Sequence, residues 1–251
     1  MDKKSLSRAV LALSELMSRL RGPDGCPWDA MQTDSSIKMY LLEEAYEVLD
    51  AVEKGSPEDL CQELGDLLFQ IIFLARLAEE KGEFDLVQVI QKITEKMKNR
   101  HPHVFGLTKV NSAKEVADNW EKIKKTEKGD TETSSLLQSV PESLPALLRA
   151  QRLIERASKA DFDRPDQEGT WSKVEEEFEA LKKSIHSQDK KRIGKELGDL
   201  LFLLVSLARH WGLNAENVVR HANQEFFERF KEMEEKLKAL DMEPDKAPMD
   251  E

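Results

Sequence analysis

Cysteine is almost missing from this chain: Cys26 and Cys61 are the only two. That is too few for a disulfide framework or a four-thiolate zinc site, so both read as plain thiols. Basic charge is also in deficit. Thirty-eight Lys and Arg face 49 Asp and Glu, leaving a net charge of −11, which argues against nonspecific binding to a nucleic acid backbone, since that needs a basic face. A phosphorylated ligand stays open, because a divalent metal reverses the local sign. Long apolar runs are absent too. The longest, LLFLLVSLA at 200–208, is about half of what a membrane span requires. The first twenty residues interleave charge with apolar side chains at helical spacing and lack the continuous core of a secretion signal. A soluble, cytoplasmic protein that binds neither membrane nor nucleic acid is the expectation.

Turn formers are scarce, with 11 Gly and 9 Pro, and aromatics make up only 6%. Glu, Lys, Leu and Ala fill the space, a mixture that favours helix. Helical periodicity runs through almost every informative segment. It predicts helices over about Ser5–Leu20, Ser35–Glu53, Pro57–Glu80 and Asp85–Asn99. Ser56 is placed to cap the third, with Pro57 at its first position and Glu58 and Asp59 at its positive end. RHPHVFG at 100–106 reads as a loop, and Ser112 with Glu115 has the spacing of a capping box that opens a further helix. The stretch 126–145 is polar and contains two prolines, Pro141 and Pro145, and residues 126–144 read as a linker.

The second half repeats the first. ELGDLLF occurs at 63 and again at 196, which sets an offset of 133 residues. The same offset carries Leu74, Ala75 and Arg76 onto Leu207, Ala208 and Arg209, and the apolar stripe Leu41, Ala45, Val48, Val52 onto Val174, Phe178, Leu181, Ile185. The chain is a tandem duplication, with copies at 1–125 and 145–251.

Each copy sets acids among apolar residues. Glu44 and Glu47 share a helix face by spacing, as do Glu63 and Asp66, and the short KGSPED connection folds their helices into an antiparallel pair. Four carboxylates meeting in a partly dry volume repel one another and raise each other's pKa values. A divalent cation relieves that repulsion, and an all-oxygen donor set points to Mg²⁺ or Mn²⁺. With 49 acids in 251 residues, one EExxE match alone would read as a solvated helix face. EExxE followed by ExxD, in order and twice, favours a metal site. A di-iron bundle would want Glu-x-x-His where this chain has Asp66.

LLEEAYEVLDA and ELGDLLFQ, preceded by GCPWDAMQT and followed by NRHPHVFG, together resemble the MazG family over essentially the whole chain. The resemblance implies an all-α fold of tandem MazG-like helical bundle domains and a homodimer. It also implies hydrolysis of a nucleoside triphosphate (NTP or dNTP) to the monophosphate and pyrophosphate on Mg²⁺. Glu44, Glu47, Glu63 and Asp66 would be the metal ligands, with Glu43 orienting water or a neighbouring ligand. Lys92 and Lys96, four apart on the fourth helix, suit the outer phosphates, and ordinary surface lysines remain the alternative. Asp29 and Gln32 beside Trp28 are candidates for base or ribose, Trp28 being equally suited to anchoring its loop. Trp120 would cover the nucleotide or simply pack as an apolar face residue. His101 and His103 read as a structural loop.

The offset sends Glu43, Glu44, Glu63 and Asp66 to Glu176, Glu177, Glu196 and Asp199, a second candidate metal set. It sends Glu47 to Ala180, Lys92 to Glu225 and Lys96 to Arg229, while Trp120 has no counterpart within the 251 residues. Lys173 and Arg229 are the second copy's candidate substrate cations. One carboxylate short, with one cation reversed, the second copy is expected to be weak or structural. Shifting the motif by one residue, to Glu175, Glu176 and Glu179, restores EExxE but breaks the apolar register. A nucleotide-sensing or partner-binding helical protein without turnover is the competing function, and a purely structural helical dimer leaves the duplicated acids unexplained.

Overall fold

Thr33 and Ser36 bond reciprocally at the start of one helix, and Ser56 and Asp59 at the start of the next. These two capping boxes fix where α3 (Asp34–Lys54) and α4 (Pro57–Glu80) begin. Between them lies only Gly55-Ser56, so the chain must reverse and the helices lie antiparallel. A Cβ on Gly55 would stand 2.7 Å from the Ala51 carbonyl oxygen, so the close turn excludes any side chain there. The computed structural model describes residues 2–127, 135–160, 162 and 167–239, all strand-free. The chain divides into two compact units, Met1–Asp130 and Thr131–Glu251.

In unit 1, α1 (Lys3–Leu20) is capped by Asp2 and leads through the short α2 (Pro27–Ala30) to the α3–α4 pair. α5 (Leu86–Arg100) follows, capped by Asp85 and Gln88, then α6 (Pro102–Phe105) and α7 (Ala113–Glu127). Met17, Ile37, Ile72, Phe73 and Leu77 form the core, with Leu13, Tyr40 and Phe69 packed around them. Arg21 ties the edge of this core together. Its side chain, only 7% exposed, forms a two-pronged ion pair with Glu80 and lies 5.2 Å from the Phe73 ring centroid. It also donates to the Asp29 and Gln32 carbonyls, so one guanidinium holds the α1–α3 connection against the end of α4.

In unit 2, a short 3-10 turn (Leu136–Ser139) precedes α8 (Ala146–Ser158), α9 (Gln167–Ser187), α10 (Lys190–His210) and α11 (Ala215–Ala239). α9 has the bounds of α3 moved by the 133-residue offset, and α10 starts where α4 does on the same offset. Val174, Leu181 and Leu200 pack α9 against α10, while Ile154, Val205 and Ala215 join α8, α10 and α11.

Two local expectations change. The RHPHVFG loop contains α6, because Pro102 sits at a first helical position and the amides of Val104 and Phe105 bond back to the His101 carbonyl. The linker read at 126–144 is partly ordered chain. α7 runs on to Glu127, and Val140, 5% exposed, is buried behind the 3-10 turn that packs on α8. Residues 128–134 of that stretch lie outside the described residues. No helix of the described residues is long and apolar enough to cross a membrane.

Candidate functional site

The α3–α4 pair brings carboxylates from both helices to one place. Glu44, Glu63 and Asp66 each offer an oxygen within 4.8 Å of the others. Glu44 and Glu63 are half-buried, and Asp66 is exposed at the rim. Burial raises the Glu44 pKa above the usual carboxylate value, and the charges of Glu47 and Asp66 add to the rise. Burial likewise raises Glu63, followed by the charges of Glu47, Asp66 and Glu44. Glu47 thus stands beside the group, its charge bearing on both half-buried acids. Glu43 lies outside the group, exposed on α3.

One neutral partner enters the cluster. Gln70, 9% exposed and seven residues beyond Glu63 on α4, donates its side-chain amide to Glu44 Oε1 at 3.3 Å. That bond lowers the Glu44 pKa and opposes the burial effect. The sequence carried the signal: Asp66 and Gln70 are four apart, which puts the amide on the acid-bearing face. Among the described residues, no Lys or Arg forms an ion pair with Glu44, Glu47, Glu63 or Asp66. Oxygen donors in mutual repulsion, with no cation of the protein among them, fit Mg²⁺ or Mn²⁺.

The other candidates of unit 1 are placed around different features. Lys92 and Lys96 line a groove of about 360 Å³ on α5 with Phe84, Gln88, Val89 and Ile93, none of which belongs to the acid cluster. Lys96 also lies near enough to Glu127 to help lower that carboxyl, behind the dominant hydrogen bond from Arg100. Asp29 is buried in α2 and gives its carbonyl to Arg21. The Gln32 side chain bridges the Trp28 carbonyl and the Ser36 hydroxyl, and the Trp28 ring lies 6.0 Å from that of Tyr40. This loop is built around its own contacts. Trp120 is 38% exposed, and its ring sits 5.6 Å from His101, which itself lies 5.6 Å from His103.

Unit 2 assembles the equivalent group from Glu177, Glu196 and Asp199, again within 4.8 Å. The 133-residue register therefore holds in three dimensions, and the group draws on Glu177 rather than on the residues of the shifted motif. Glu176 lies outside it, paired with Lys173 at 2.6 Å. Lys173 also lies 3.2 Å from Glu177, so it is engaged with acids of its own helix. Arg229 bonds the Glu225 carbonyl of α11 at 3.3 Å. Arg192 and Lys195 complete the surroundings, at 3.7 Å from Glu196 and 2.6 Å from Asp199. Hydrogen bonding to Asp199 raises the Lys195 pKa, with the charges of Asp199, Glu196 and Glu177 adding to it, so this ammonium feels the whole group. Neither Arg192 nor Lys195 was singled out from the sequence, although each stands four residues before its acid.

Comparison with known proteins agrees with the duplication of the chain. The MazG nucleotide pyrophosphohydrolase domain model matches residues 32–105 and 166–234, one segment on each acid-bearing helix pair. A nucleoside triphosphate pyrophosphohydrolase of Escherichia coli K12 is 42% identical over 234 residues, covering 92% of this chain and 89% of that protein. A Thermotoga maritima protein named nucleoside triphosphate pyrophosphohydrolase/pyrophosphatase MazG is also 42% identical, over 89% of this chain and 84% of its own length. A solved mazG-related protein from Thermotoga maritima is 32% identical, with a TM-score of 0.40, over 45% of this chain and 97% of its own. With matched segments spanning more than half the chain and an acid cluster in each, this protein belongs to the MazG family.

Proposed function

We propose that the protein hydrolyses nucleoside triphosphates to monophosphate and pyrophosphate at the acid cluster of unit 1, using Mg²⁺ or Mn²⁺. The observation that carries this reading is the convergence of Glu44, Glu63 and Asp66, with no ion pair to a Lys or Arg among the described residues. The names of relatives aligned over most of the chain support the reaction. A triphosphate brings nearly as much negative charge as the cluster itself, so the two associate only through metal. Mg²⁺, when bound, offsets the phosphate charge and acidifies water.

The chain's own residues hold and orient. Glu44, Glu63 and Asp66 are the ligands, with Glu47 the fourth. Gln70 fixes the rotamer of Glu44 through its amide. Glu43, next to Glu44, orients a water for in-line attack at the α-phosphorus. Lys92 and Lys96 suit the outer phosphates. Uncovered Leu64, Leu68 and Ile71 form a stripe along α4, 40–50% exposed, that suits the face of a homodimer.

A panel of NTPs and dNTPs incubated with and without Mg²⁺, with products separated by ion-exchange chromatography, tests the proposal. Metal-dependent release of pyrophosphate and monophosphate is expected, reduced at least about 100-fold in Glu63→Gln. Orthophosphate with nucleoside diphosphate as products, or saturable nucleotide binding without turnover, would overturn it. The second of those outcomes is the signature of a nucleotide sensor.

A further inference from the structure

Unit 2 repeats the acid group of unit 1 but not its charge balance. Lys173 Nζ lies 2.6 Å from Glu176 and 3.2 Å from Glu177. Lys195 Nζ lies 2.6 Å from Asp199, and Arg192 Nε 3.7 Å from Glu196. Every acid of the group has a cation of its own helix four residues away. On the 133-residue offset, unit 1 has Tyr40, Asp59 and Gln62 at those three positions, none of them a cation. Two further changes accompany them. Ala180 replaces Glu47, and Leu203 replaces Gln70 and packs into the unit 2 core.

We infer that the acid cluster of unit 2 is closed to divalent cations, its place for a metal taken by Lys173, Arg192 and Lys195, so that of the two acid clusters among the described residues only that of unit 1 binds metal. This rests on the reading of unit 1 as a metal site. No single pair excludes a metal, because exposed pairs at this spacing are weak. Their sum does. An entering dication must either sit among three protein cations or displace them together, and it finds three carboxylates where unit 1 offers four. Mg²⁺ also gives up its water reluctantly, so a site with reduced net charge has little to offer it. Glu196 is itself 9% exposed. Its guanidinium and ammonium neighbours give a buried acid the compensation it needs without a metal.

Mn²⁺ titration of the intact protein, read by the electron paramagnetic resonance of free Mn²⁺, tests this without recourse to activity. One class of bound Mn²⁺ per chain is expected, weakened at least about tenfold by Glu63→Gln and unmoved by Glu196→Gln. The triple variant Lys173→Tyr, Ala180→Glu, Lys195→Gln should acquire a second bound ion per chain. Loss of bound Mn²⁺ in Glu196→Gln, or a triple variant that binds no additional ion, would overturn the inference. Lys195→Gln alone, changing one exposed side chain, gives a smaller gain if the triple variant does not fold, and its failure to gain counts equally against the inference. A parent protein that binds no Mn²⁺ overturns the reading of unit 1 instead, and the gain expected of the variants still decides the case of unit 2.

Discussion

Glu44 is acted on from three directions: burial and neighbouring acids favour its protonated form, while the Gln70 amide favours its ionised form. Glu63 has the first two influences without the third among its main causes. Because both carboxyls are raised, the folded protein binds protons more tightly than the unfolded chain as pH rises past their ordinary value. Stability from these groups is therefore greatest below that value and is lost as pH climbs through the raised one. A bound cation acts in the opposite sense, since it needs the ionised forms. We expect Mn²⁺ to raise the thermal midpoint at neutral pH by an increment corresponding to about 2.7 kcal/mol at a hundredfold excess over Kd. That increment should fade as pH falls through the raised pKa values of Glu44 and Glu63, which differential scanning fluorimetry across pH would follow. A midpoint gain independent of pH would place the ion elsewhere. Gln70→Leu, which writes the unit 2 residue into unit 1, should weaken Mn²⁺ binding about 10- to 100-fold with little change in the apo midpoint, measurable by calorimetric titration.

At the scale of elements, the site depends on two helices entering and leaving one tight turn in a fixed register. The capping boxes at Thr33 and Ser56 set both starting points, and Gly55 permits the close return. Gly55→Ala would drive a methyl into the Ala51 backbone and should destabilise unit 1 by about 1–3 kcal/mol, read by urea denaturation. The same variant should weaken Mn²⁺ binding, because sliding α4 along α3 separates Glu44 from Glu63 and Asp66. Unchanged metal affinity in a destabilised variant would show that the turn does not set the cluster. These elements were largely legible beforehand, since caps, Pro57 at the first turn of α4 and the apolar period are local signals. α6 was not, because its single turn is too short to show a period.

For the molecule as a whole, duplication is the organising fact. The uncovered stripe Leu64, Leu68, Ile71 of α4 recurs as Leu197, Leu201, Leu204 on α10, all at the same offset and similarly exposed. The two units thus keep the same helix faces and the same three-acid geometry while differing in what surrounds the acids. Hydrogen exchange read by mass spectrometry should report that difference directly. Mn²⁺ is expected to slow exchange across 34–80 and to leave 167–210 unchanged. Equal protection of both segments would mean that the two clusters are equivalent.

The amino-acid sequence by itself determined the helices, the 133-residue repeat and which acids share a face, because all three follow from spacing along a single helix. It also held the pairs Lys173–Glu177, Arg192–Glu196 and Lys195–Asp199, each four apart, though nothing local says that three such pairs surround one cluster. Only the tertiary structure decided that. It selected Glu177 over Glu176 for the group, brought Gln70 of α4 to Glu44 of α3, and gave the buried guanidinium of Arg21 its partner in Glu80. These contacts join residues 26 or more apart in the chain, or depend on the rotation of one helix against another. Their energy comes from burial and charge at a meeting point that no single helix contains.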